Sequence, residues 1–325
     1  MRHLIYAAAL IATPAVAGVE EAVNDYILPH LAAFTEAAEV LDDAAQDRCE
    51  AKGLVGPYNA AFDGWMAVAD VRLGPSEQGA LSLSFWPDKR GFTERTLADL
   101  ISNKDPVVED QAAFEEISIA ARGFFALERM LYDSQFNDYA EGDYACTLVR
   151  ALTRDVVDQA TALQAQWNDF VPLLLDPGSA GNTTYLDEAE AQRAIYTQIL
   201  SALEFTKDTR LGRPLGEVAR ARPTRAEAWR SGRSLTQSVL ATEAAVGLAE
   251  ALADWELPET RAALDAVREQ AETITDPSFQ NIGDLMKRLD VEILQQKIDA
   301  VENAVEVEVG TRYGITPGFN SSDGD

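Results

Sequence analysis

The chain has 325 residues, of which 54 are acidic and 27 basic, for a formal net charge of −27. A field of this sign repels a phosphate backbone and no stretch of clustered lysine and arginine stands out, which excludes nucleic acid and disfavours anionic membrane surfaces as partners. Metal ions and small cationic ligands are instead drawn toward such a field.

Residues 1–17 have the form of a secretory signal: Arg2 supplies the positive start, 4–12 a short apolar run, and Ala15, Val16 and Ala17 the small-residue cleavage pattern. The expected product is periplasmic and begins near Gly18. No later apolar stretch reaches the roughly 20 residues that a membrane span takes, so no integral segment is expected after the signal. The first cysteine is Cys49, far beyond the apolar run, which leaves no lipid attachment site there.

Apolar residues recur at spacings of three and four, and strict alternation is rare, so the fold class is all-α. The pattern predicts helices over 19–52, 57–73, 93–101, 108–136, 140–170, 187–205, 224–254, 258–274 and 279–308. Proline and glycine punctuate the joins. Residues 172–184 are rich in Pro, Gly, Asp, Asn and Thr and mark a linker between an N-terminal helical bundle (18–171) and a C-terminal bundle with its closing tail (185–325). The expected architecture is two helical bundles packed side by side. Cys49 and Cys146 lie in a compartment that permits disulfides, and their pairing is expected, the alternative being two buried thiols.

In the predicted helix over 108–136, Phe114, Ile117, Ala121, Phe124 and Leu131 form an apolar stripe, and Glu128 falls on it. A carboxylate there must meet a cation, a hydrogen-bond donor or a metal, because burying it ionised and unpaired costs several kcal/mol by order of magnitude. A structural salt bridge and a ligand role both remain open. The histidines are His3, in the signal, and His30, expected at the surface or half-buried, so no zinc helix or three-histidine centre can form. No Gly-rich phosphate loop is present.

The run Gly123-Phe124-Phe125-Ala126-Leu127-Glu128 resembles the signature of the imelysin family, in which glycine opens a Gly-x-His-x-x-Glu motif; Phe125 stands at the histidine position. Three further strings resemble family landmarks: Phe85-Trp86-Pro87-Asp88-Lys89-Arg90, Trp229-Arg230-Ser231-Gly232-Arg233-Ser234, and the closing Gly318-Phe319-Asn320-Ser321-Ser322-Asp323-Gly324-Asp325. The resemblance implies a two-bundle helical protein of the bacterial envelope, linked with iron or haem uptake, whose site lies in the cleft between the bundles. It implies a ligand cleft formed by Gly123, Phe125, Glu128, Trp86, Asp88, Arg90, Arg233, Ser234 and Asn320. Arg233 and Ser234 lie either on a solvated helix face or in that cleft, where Arg233 would reach Glu128 as a charge-assisted pair. Glu128 is the one candidate catalytic group, and Glu128, Asp323 and Asp325 are candidate metal ligands through their oxygens.

Three readings compete. The first is a binding or accessory protein in acquisition of iron, another metal or haem, taking a metal ion, a small cationic ligand or a periplasmic protein partner. The second is an envelope metallopeptidase, which Phe125 opposes because a water-activating metal needs about three protein ligands. The third is a non-catalytic interaction module in which Glu128 is merely salt-bridged.

Overall fold

The computed structural model describes residues 18–315; the signal pattern at 1–17 and the tail residues Asn320, Asp323 and Asp325 lie outside them. Among the described residues the chain is helical and forms no strand, and no helix is long and apolar enough to cross a membrane.

Helix α1 (19–47) opens with a π turn over Ala22–Ile27, just ahead of Pro29, whose ring nitrogen has no hydrogen to donate to the regular ladder. It stops at Arg48, where the backbone is extended, so the helix predicted over 19–52 is two helices. The break carries Cys49 to Cys146, with Cα atoms 5.3 Å apart, and the two sulfurs are bonded. α2 (Ala51–Met66) then buries Leu54, Tyr58, Ala61, Phe62 and Trp65 along one stripe.

Short helices α3 (Ser76–Leu83) and α4 (Phe92–Asn103) follow, joined by the loop that holds Trp86. The long helix predicted over 108–136 is broken. Asp105, Asp110 and Ser118 each accept a bond from a backbone N–H two or three residues ahead, which starts three short turns in succession. Only 123–132 continues as helix α5 (Gly123–Tyr132). The apolar stripe survives this change, since Phe114, Ala121, Phe124 and Leu131 are all buried. Gly123 begins α5 at φ +68°, and a Cβ there would lie 2.2 Å from the Leu83 carbonyl oxygen. No other residue combines that backbone with that contact.

α6 (Tyr144–Leu175) packs on α1 and α5. α7 (Glu188–Glu204) runs on as a π segment over Phe205–Leu211. The helix predicted over 224–254 begins only at α8 (Ser234–Leu252), because 226–233 folds as a tight turn with Ala228 at φ +47° and Gly232 at φ +71°. α9 (Pro258–Thr273) and α10 (Leu285–Val305) complete a second group of helices with α7 and α8. The groups share one apolar core: the start of α1 and part of α2 pack against α8.

A buried polar junction crosses between them. The π segment delivers Arg210, 3 % exposed, to Asp70 at 2.8 and 3.1 Å, to Glu227 at 2.7 Å and to the Thr206 hydroxyl at 3.0 Å. Burial works against the guanidinium's charge, and the two carboxylates outweigh it.

Two stability outcomes follow from these links. Replacing both Cys49 and Cys146 by serine should lower the unfolding free energy by about 2–4 kcal/mol, read by urea denaturation without reductant; an unchanged midpoint would show the bond to be dispensable. Arg210→Ala strands Asp70 and Glu227 in the interior and should cost about 3–5 kcal/mol, measured the same way, whereas a loss under about 1 kcal/mol would show that water replaces the guanidinium.

Candidate functional site

A cleft of about 510 Å³ opens where the Trp86 loop, α5 and the 224–230 segment meet. Trp86, Asp88, Phe125 and Glu128, all expected in the cleft, line it. Trp86 sits over Phe125 with ring centroids 6.5 Å apart and meets the edge of Phe205 at 6.1 Å. Asp88 is turned to its own loop: its oxygens accept from the Arg90 and Thr93 backbone N–H groups at 3.2 and 2.9 Å, which caps α4. Burial raises its carboxyl, but these donors prevail and hold it below the ordinary value.

Glu128 is 3 % exposed, and its Oε1 accepts from the backbone N–H of Ser231 at 2.9 Å and from the Ser231 hydroxyl at 2.8 Å. The expected Arg233–Glu128 pair does not form. Arg233 is ion-paired with Asp63 of α2, because the turn 226–233 points the Ser231 donors, rather than the Arg233 side chain, at Glu128. Ser234 is the buried first residue of α8, its hydroxyl donating to the Ser278 carbonyl at 3.4 Å, and it lies outside the cleft lining. Arg90 is exposed and likewise outside it. Gly123 serves from beneath, by letting α5 start against Leu83.

Sequence reasoning missed the rest of the lining. Arg129 and Arg230 both donate to Asp133, each at 2.9 Å, tying the α5 wall to the 224–230 wall. Arg230 also lies over the Trp229 ring at 4.2 Å. Lys89, Arg213 and Arg225 complete the set. Contrary to the expectation that no stretch of clustered lysine and arginine stands out, positions 210–233 hold seven arginines against two glutamates, a basic cluster that the net charge of −27 conceals.

Among the described residues, Glu128 belongs to no group of three metal-ligating side chains. The one such group among them is Cys49, Glu141 and Cys146, and its two sulfurs are spent in the disulfide. His30 lies on α1, half-buried, with Nδ1 2.7 Å from the Tyr26 carbonyl, and takes no part in the cleft.

Burial raises the Glu128 carboxyl above its ordinary value, with the Ser231 donors and then the charges of Arg230 and Arg129 opposing. An acid raised in the folded state binds its proton more tightly there, so its stability contribution is full below the unfolded value of about 4.3 and is lost as pH rises through the folded one. Glu128→Gln keeps an oxygen for both Ser231 bonds and does not titrate. Wild type should therefore lose stability relative to this variant as pH rises from about 4.3, the difference levelling once the carboxyl is fully ionised. Urea denaturation across pH measures it, and a pH-independent difference would refute the burial cost.

The imelysin model of the peptidase M75 family matches residues 27–305. An imelysin-like protein from Psychrobacter arcticum 273-4 has a similar structure, with a TM-score of 0.75 at 17 % identity over 93 % of this chain and 96 % of that one. A "putative iron-regulated protein A precursor" from Parabacteroides distasonis ATCC 8503 aligns with a TM-score of 0.69 at 13 % identity, over 90 % of this chain and 93 % of that one. No curated protein matches. With the family model covering most of its length and the same fold in both solved structures, the chain belongs to the imelysin family.

Proposed function

We propose that this protein is an exported, non-catalytic binding or accessory protein of the bacterial periplasm, serving iron acquisition, with the cleft between α5 and the 224–230 segment as its ligand site. The observation that carries the non-catalytic part is the state of Glu128. Its Oε1 is held by two Ser231 donors, its neighbour at the motif's histidine position is Phe125, and among the described residues it belongs to no group of three metal-ligating side chains. A metallopeptidase needs an open metal position and a water to activate, and about three protein ligands to hold the ion.

Family membership and the iron-regulated name of one structural relative support the iron role. The signal pattern at 1–17 supports export. On this reading the segment 172–184 separates an N-terminal unit (18–171) from a C-terminal unit (185–325), each carrying one wall of the cleft.

The purified protein should leave a denatured protein substrate intact, and Phe125→His should gain no more than weak zinc or iron affinity, since the partners that orient a histidine, worth about 10- to 100-fold, are missing. Chelator-sensitive proteolysis lost in Glu128→Gln would overturn the non-catalytic reading. The iron role predicts slowed growth of a deletion strain under iron limitation, restored by the wild-type gene; unimpaired growth would remove it.

A further inference from the structure

The cleft is lined by five cationic side chains, Lys89, Arg129, Arg213, Arg225 and Arg230, against two carboxylates, Asp88 and Glu128. In a chain with two acidic residues for each basic one, this excess runs against the whole-molecule charge. Several arginines elsewhere are taken up by carboxylates, Arg122 by Asp155, Arg150 by Glu141, and Arg210 by Asp70 and Glu227. Lys89, Arg213 and Arg225 pair with no carboxylate among the described residues. The cleft's own carboxylates form no ion pair with them: Asp88 accepts from its loop backbone and Glu128 from Ser231.

Arg213 carries a more specific mark. Its Nε is buried without a hydrogen-bond acceptor, while its guanidinium lies 6.0 Å from the centre of the Trp86 ring. A buried donor normally finds a partner, and Nε, itself out of contact with solvent, has none among the described residues although the Arg213 side chain lines the cleft. Burial first, and then the neighbouring charge of Arg225, lowers the Arg213 pKa, so these two cations repel each other across the same space. An anion placed between them would relieve both costs.

We propose that the cleft is an oxyanion site for a small polyvalent carboxylate or phosphate, held by Arg213, Arg225 and Lys89 against the Trp86 ring. Resting on the binding reading above, we infer further that iron enters as an anionic carboxylate chelate rather than as a bare cation. Such a chelate brings its own oxygen ligands, which suits a cleft whose two carboxylates are engaged by the Asp88 loop and by Ser231. Guanidinium forks match carboxylate and phosphate oxygens in pairs. The volume of about 510 Å³ is that of a small-molecule site, typically about 300–1,000 Å³.

The test is isothermal titration of the full protein with citrate, ferric citrate, inorganic phosphate and zinc or ferrous ion, at low and high salt. Citrate and ferric citrate should bind, ferric citrate more tightly, with affinity falling as salt screens the site. Arg213→Gln and the exposed Arg225→Gln should each weaken binding at least tenfold while leaving the circular dichroism and the melting temperature in place. Phosphate binding as tight as that of citrate would uphold the oxyanion site and assign it to phosphate. Equal affinity for citrate with and without iron would uphold the site and overturn the chelate. Binding of bare metal ions without any of the anions would overturn the oxyanion site while sparing the iron role. Anion binding indifferent to both arginine variants would place it elsewhere and overturn the proposal, as would no binding at all.

Discussion

Arg210 is the constraint on which the arrangement depends. It reaches its partners because the π segment Phe205–Leu211 displaces the side chain from where a regular helix would carry it, and it then spans from Asp70, beyond the end of α2, to Glu227 in the turn before α8. A buried guanidinium gripped by two carboxylates resists sliding more than an apolar contact does, since any shift leaves a charge uncompensated. The turn that contains Glu227 also contains Ser231, so the geometry at Arg210 and the hydrogen bonds at Glu128 are two ends of one short rigid span.

That span also holds Glu128 in place beside Phe125, which stands where the family resemblance would put a histidine. Glu128 keeps its position on α5 because Gly123 lets the helix begin against the Leu83 carbonyl, and it keeps its burial because Ser231 supplies donors. With Phe125 in the histidine position, stacked toward Trp86 and edge-on to Phe62, the carboxylate works as a structural acceptor between two segments. The cations around it are then free to set the character of the cleft.

Much of the fold was legible because periodicity reports burial, and the helices of the second half followed from it, while the Cys49–Cys146 pair followed from a compartment that permits disulfides. Periodicity does not report continuity. The stripe through Phe114, Phe124 and Leu131 was read correctly as core while the helix beneath it was not, because Asp105, Asp110 and Ser118 divert the backbone locally and leave the apolar spacing intact. At the site, Glu128 was legible as a carboxylate on an apolar face. Its partner was not, since half of the interaction is the backbone N–H of Ser231, which no residue name announces, and the turn depends on Ala228 at φ +47°, which no alanine advertises. The arginines were on the page, but averaged into a strongly negative whole.

The start of α1 bears on the order in which the molecule can assemble. Val19 is fully buried, and Gly18 lies so close to α8 that a Cβ on it would sit 2.4 Å from the Leu252 carbonyl oxygen. Contacts between positions so distant in sequence are closed late, because the chain between them must first be gathered. The first turn of α1 is completed by contacts with α8, while the rest of its helix packs on α2 and α6. The burial of Val19, Val23 and Tyr26 therefore depends in part on α8, a helix far along the chain, being in place.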